Sequence, residues 1–333
     1  MGTRGRTQGD EHESTPAMNA ARSDTSPMNA TVASAASWCQ LSGKMAIAAE
    51  RFTPRGKIVN IMSTPEVTRL AISPRERLYR TEAVVLTRFD FKEADRIVTL
   101  YTPWYGKLRA IAKGVRRPKS RLGPHLDFFA RCEVMLAKGR ELDTVTAVET
   151  IDAYSELRTD LDAFGHASHM VELVNRLTED RQENAPLYEL LRRSLRLLAD
   201  GVDPFAATRH FELALLTLLG YRPELYRCVS CASELSAIPN AFSVRQSGML
   251  CSLCRPSDAS SLPLSVNAQK YMRTLDRTGL ATAVRLRPDE ALKGEVDAVH
   301  SSYLRQVCER NLESLGVWRA VRRSTPVEGS SGQ

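Results

Sequence analysis

Three observations predict an α+β multidomain chain, with a small β-barrel followed by a helical domain that carries an inserted cysteine module. Five short alternating segments fall within residues 80–150, the periodicity turns helical from residue 155, and four cysteines stand in two C-x2-C pairs. At 333 residues the chain has room for two or three domains.

Residues 1–75 are rich in Ala, Ser, Thr, Gly and Pro and hold no sustained periodicity, so a disordered extension is expected there. Trp38, Ile47 and Ile58 are too sparse to build a core. The simplest expectation is that this stretch does nothing, or that translation starts near Met62.

The barrel is expected over residues 78–152. Its strands read as Arg80–Phe89, Ala94–Tyr101, Lys107–Val115, Arg131–Ala137 and Asp143–Ile151. β-branched enrichment and period-2 alternation support each one, and turn residues bound them. In the third, Leu108, Ala110 and Ala112 alternate with Arg109, Ile111 and Lys113. Pro118–Phe129, between the third and fourth, has room for a short helix. Five strands with an insert at that place fit an OB-fold; a small SH3-like barrel is the alternative.

Residues 155–320 read as the helical domain. Leu157, Leu161, Phe164, Met170, Val171 and Val174 mark one helical region. Leu187, Leu190, Leu191, Leu195 and Leu198 mark a second, between Pro186 and Gly201. Asp203-Pro204 opens a third that runs to Gly220. Asn267–Thr278 and Asp289–Ser314 are the last two, and residues 321–333 form a polar tail expected to be disordered.

Cys228-x2-Cys231 and Cys251-x2-Cys254 are separated by 19 residues. Each turn can point two thiolates at one ion, and two turns complete a tetrahedral four-thiolate shell. That predicts one structural Zn²⁺ per chain within a module at 228–254. A closed shell leaves no position for water, so the ion would stabilise a loop-rich segment rather than catalyse. Cys132 and Cys308 read as small buried apolar residues, and Cys39 falls in the extension.

Charge is uneven. Residues 80–150 carry 14 Lys/Arg against 9 Asp/Glu, whereas residues 151–333 carry 22 against 23. Lys107, Arg109, Lys113, Arg116, Arg117, Lys119 and Arg121 follow one another with no acid between them. A strand that delivers such a loop is a candidate phosphate grip. Trp104 and Tyr105, in the preceding turn, are candidate base-stacking platforms; the alternative is that they cover the barrel end.

Other constellations carry less. His166 and His169 stand three apart on a helix without a third ligand, so packing or capping is expected. Asp90, Glu93 and Asp95 crowd one hairpin loop; a Mg²⁺ nuclease site is the sharper reading and solvated acids the simpler one. Arg192, Arg193 and Arg196 read as an exposed helix face. No phosphate-binding G-x4-GK[ST] loop or G-x-S-x-G nucleophile context occurs, so no enzyme is expected. No apolar run reaches the roughly 18–20 residues of a membrane span.

From Thr81 to about Glu149 the chain resembles the RecO family of bacterial recombination mediators, DNA repair proteins. GKLRAIAKGVRRPKSRLGPHLDFF and AKGRELDTVTAVE carry the resemblance, followed by LLTLLGYRPEL and the cysteine quartet. It covers roughly residues 78–320. It implies an OB-fold joined to a helical domain with a zinc module. It implies binding of single- and double-stranded DNA, annealing of complementary strands and recombinase loading on gaps covered by single-strand-binding protein. The implied partners are RecR, the acidic C-terminal tail of single-strand-binding protein and, in some cases, RecF. The seven basic positions match the family's basic OB segment, and the cysteines match its zinc form. A cytoplasmic, nucleoid-associated location is expected. The competing class is a zinc-ribbon adaptor whose barrel binds protein or RNA.

Overall fold

In the computed structural model, which describes residues 77–308, five strands close into a barrel in the order β1-β2-β3-β5-β4. The strands are β1 (Leu78–Phe91), β2 (Asp95–Thr102), β3 (Gly106–Ala112), β4 (Arg131–Ala137) and β5 (Asp143–Asp152). β1 is long because it serves two neighbours. Its first half pairs with β4 and its second with β2, and an irregularity between Val85 and Thr87 lets it bend between them. β3 and β5 run parallel, paired only at Ala110–Asp143 and Ile111–Thr144. That closure is the OB arrangement. The expected strand to Val115 stops at Ala112, where the chain leaves the barrel, and the insert holds only a 3-10 turn, Gly123–His125.

Alternation places Leu108, Ala110, Ala112, Cys132, Val134 and Leu136 inside. The Cys132 thiol, fully buried, is pushed up to about 12 by desolvation, so it is an inert core group.

Helices α1 (Leu161–Leu177), α2 (Ala185–Ala199) and α3 (Pro204–Leu218) follow. Asp160, Asn184 and Asp203 cap them, each side chain accepting a backbone N–H three residues on. A three-stranded sheet of β6 (Asn240–Ser243), β7 (Gly248–Leu250) and β8 (Leu262–Leu264) comes next, in the order β7-β6-β8. α4 (Val266–Arg277), a single turn α5 (Leu280–Ala283) and α6 (Glu290–Val307) complete the described chain. The remainder of the expected last helix, the two termini, Cys39 and the Met62 start lie outside the described residues. No described helix is long and apolar enough to cross a membrane.

Barrel and helices share one core. Val84, Leu86 and Tyr101 pack in the same cluster as Met170, Leu191 and Phe211. Polar contacts reinforce this junction. Glu82 binds Arg131 at 2.9 Å and accepts the Tyr188 hydroxyl at 3.0 Å. Buried Asp143 accepts from Tyr79 and, at 3.0 Å, from Arg181. Gly106 sits at φ +59°, and a Cβ there would lie 1.9 Å from the carbonyl oxygen of Gln182, so both the turn and the contact require glycine.

The histidine pair is structural. His166 Nδ1 lies 2.7 Å from the Thr208 hydroxyl, and His169 Nε2 lies 2.7 Å from Glu212.

Candidate nucleic-acid interface and metal centre

The basic run divides by geometry. Lys107 points back into the molecule, 12% exposed, and its ammonium donates to the carbonyls of Asn175 and Thr178 at 2.7 and 2.6 Å. It caps the C-terminal end of α1, where unpaired carbonyls and the helix dipole favour a cation. The phosphate contact expected of Lys107 gives way to a clasp between barrel and helices. Arg109 lies on the outward face of β3, more than half exposed, with Asp180 3.5 Å away.

Lys113, Arg116, Arg117, Lys119 and Arg121 are exposed on the connection after β3. Arg116 pairs with Asp90 at 3.3 Å and donates to the Glu93 carbonyl. The other four make no ion pair among the described residues. This connection is anchored at its start through Gly114 and Arg116, and at its close His125 Nδ1 lies 2.8 Å from the Thr150 hydroxyl. The Arg116 backbone N–H donates to Ala94 in the β1–β2 turn, and Asp95 accepts from the Gly114 N–H. Farther on, Arg121 and His125 rim a groove of about 300 Å³ against Glu133, Met135 and Glu149 of β4 and β5. The basic connection therefore runs from the β1–β2 turn to the outer face of β4 and β5.

Topology adds cations that the linear run leaves out. Lys92 is exposed in the β1–β2 turn, and Lys138 and Arg140 are exposed in the β4–β5 connection, which leads into β5 beside Ala110. Their signal in the sequence was only their place in barrel loops, where OB-folds present ligand contacts.

The aromatic pair is elsewhere. Trp104 and Tyr105 belong to the β2–β3 turn, at the opposite end of β3 from the basic connection, about 20 Å away at ~3.3 Å per residue. Both are half-buried, and Tyr105 packs on Tyr79 with ring centroids 4.7 Å apart. They cover the barrel end, and the structure does not bring them to the cationic loop.

The hairpin acids are engaged. Asp90 faces Arg96 at 3.0 Å as well as Arg116, and Asp95 holds the Gly114 amide, so these carboxylates do not converge on one ion. Arg192 and Arg193 both pair with Glu189, and Arg196 bridges Asp152 and Asp200.

The four cysteines do converge. The sulfurs of Cys228, Cys231, Cys251 and Cys254 lie within 4.8 Å of one another, the one such group among the described residues. Cys231 and Cys251 sulfurs are 3.9 Å apart, close to the ~3.8 Å edge of a tetrahedron with 2.3 Å metal–sulfur bonds. The Cys251 amide approaches the Cys228 sulfur at 3.4 Å. A hydrogen bond with Ser233 pulls the Cys231 thiol down to about 6. Each half is a tight turn: Ala232 N–H closes on Cys228, and Arg255 N–H on Cys251. The small sheet holds the halves together, with Val229 N–H donating to Met249. Gly248 leaves room for this approach; a Cβ there would meet Val229 at 2.5 Å. The donor set fits a divalent metal of zinc type.

Two family patterns match this chain. Residues 77–154 match Recombination protein O N terminal, and residues 158–316 match Recombination protein O C terminal. The DNA repair protein RecO of Roseiflexus sp. (strain RS-1) is 40% identical over 262 residues, covering 77% of this chain and 92% of the relative. The chain belongs to the RecO family. The DNA repair protein RecO of Symbiobacterium thermophilum is 36% identical over 71% of this chain and 95% of its own length. That of Dehalococcoides mccartyi strain 195 is 32% identical over 71% and 93%. The RecO match begins where the barrel begins and runs through the cysteine module.

Proposed function

We propose that this RecO-family chain binds single- and double-stranded DNA through the barrel loops, anneals complementary strands, and assists recombinase loading on gaps covered by single-strand-binding protein. The observation that carries the reading is the group of four exposed, unpaired cations, Lys113, Arg117, Lys119 and Arg121, on a connection anchored across one side of an OB barrel. Arg116 and Arg109 join them when phosphate displaces their carboxylates. Lys107, Trp104 and Tyr105 support the barrel behind this surface.

Two complementary strands repel through their phosphates. A cationic surface that holds backbones lowers that repulsion, and without an aromatic platform among the cations it leaves the base edges free to pair. Binding then depends on salt and little on sequence. No step requires chemistry on the DNA. RecR, the acidic tail of single-strand-binding protein and RecF are the protein partners that family membership suggests, and Zn²⁺ is the ion that the four thiolates suit best.

Replacing Arg116, Arg117 and Lys119 together by Ala should weaken binding of a labelled oligonucleotide and reduce the log–log salt slope by about 2 for single strands. An unchanged affinity and slope would sink the assignment. Annealing of DNA precoated with single-strand-binding protein, with and without that protein's C-terminal tail, tests the mediator step.

A further inference from the structure

The connection between α1 and α2 reads Thr178-Glu179-Asp180-Arg181-Gln182-Glu183-Asn184, and it lies along β3. It does so because β5 covers β3 only at Ala110 and Ile111, which leaves the edge at Gly106–Leu108 open. Asp180 forms a parallel bridge with Lys107 there, and the Arg181 N–H donates to the Lys107 carbonyl at 2.8 Å. The carboxylate of Asp180 is thereby set beside the cationic strand, 3.6 Å from Lys107 Nζ and 3.5 Å from Arg109 Nε. Arg109 and Asp180 side chains are 57% and 49% exposed, so water screens the pair and another anion can displace it. Glu179 and Glu183 flank it, exposed and with no ion pair among the described residues.

We propose that Asp180 competes with nucleic-acid phosphate for Arg109, and that Glu179, Asp180 and Glu183 set the limit of the DNA track on the barrel. This rests on the reading of the basic connection as a DNA grip. A backbone held by Lys113–Arg121 that turned along β3 toward Gly106 would meet Arg109 already paired with Asp180, with Glu179 and Glu183 exposed on the same connection. Like charge turns the strand away from the Gly106 end of β3. The aromatic turn at Trp104 lies toward that same end, which agrees with its packed, covering role.

The test is binding of a labelled single-stranded oligonucleotide to the full chain across a salt series, comparing Asp180→Asn, Arg109→Ala, both together, and the Arg116/Arg117/Lys119 alanine variant. Asp180→Asn should tighten binding about 1.5- to 5-fold at low salt, the range expected for releasing one cation from an exposed pair. Its salt slope should steepen by about 0.7, one extra phosphate contact. Both effects should vanish in the Arg109→Ala background. Unchanged binding by Asp180→Asn, where the loop alanine variant still binds weakly, overturns the proposal and leaves the grip standing. No loss in the loop variant overturns the grip itself, and the proposal with it. If Asp180→Asn lowers the melting temperature, the charge-only variant Glu179→Gln/Glu183→Gln decides. Tighter binding supports the limit, and unchanged binding removes it.

Discussion

Glu212 is the most demanding residue in the helical half. Its carboxylate is fully buried, with Arg209 at 3.0 Å, His169 at 2.7 Å and His300 at 2.6 Å. Burial alone would raise its pKa. The Arg209 charge and the two histidine hydrogen bonds outweigh that and hold it well below the usual carboxylate range. Each histidine carries a proton on the nitrogen facing Glu212 and donates it to the carboxylate. The second ring nitrogens, His169 Nδ1 and His300 Nε2, are buried with no hydrogen-bond partner among the described residues. Desolvation lowers the His300 pKa against the pull of Glu212, and burial lowers His210 as well. The unfolded chain therefore takes up protons below about pH 6.5 that the folded chain refuses. Stability should be full above that pH and fall between pH 6.5 and 5, by at most about 1.4 kcal/mol per pH unit for each histidine that stays neutral. Melting curves at pH 7 and pH 5 check this, and His300→Gln should flatten the difference. A wild-type midpoint that does not move would contradict it.

Among the elements, the cysteine module is the one that a bound metal would stabilise. β6, β7 and β8 are only three or four residues each, and the two cysteine turns meet above them. Cys251→Ser should release the metal, lower the melting temperature and leave salt-dependent DNA binding by the barrel largely intact. Metal analysis and calorimetry read the outcome; a variant that keeps one zinc and its midpoint would refute the structural role. The same module shows where sequence reading stops. β3 and β4 were legible because one face is buried and the other is less so, and residues alternate; β4 coincides with its expected span. β6 and β7 are buried at every position, so no alternation betrays them. α5 has a single turn and no period to detect. The convergence of the four cysteines was legible from spacing alone, because short-range geometry fixes each pair. The role of Lys107 was not, since its acceptors, Asn175 and Thr178, lie 68 and 71 residues away and only the tertiary fold delivers them.

At the scale of the described molecule, barrel and helices share a packed junction rather than standing as two tethered modules. Their apolar cores merge through Val84, Leu86 and Tyr101, and Lys107, Arg181, Glu82 and Tyr188 cross the junction. If the proposed DNA grip on the barrel holds, the helical half would back it through this shared core. The way the α1–α2 connection lies on β3 has a further consequence for any shortened form of the chain. A barrel cut off near residue 154 would lose the segment that occupies Gly106–Leu108, and would show a bare rung of backbone donors and acceptors. Such edges pair with one another. The excised barrel should therefore self-associate in sedimentation at concentrations where the intact chain does not, and a strictly monomeric fragment would argue against this. The helical half is in that sense an internal chaperone: it keeps a sticky strand of its neighbour permanently spoken for.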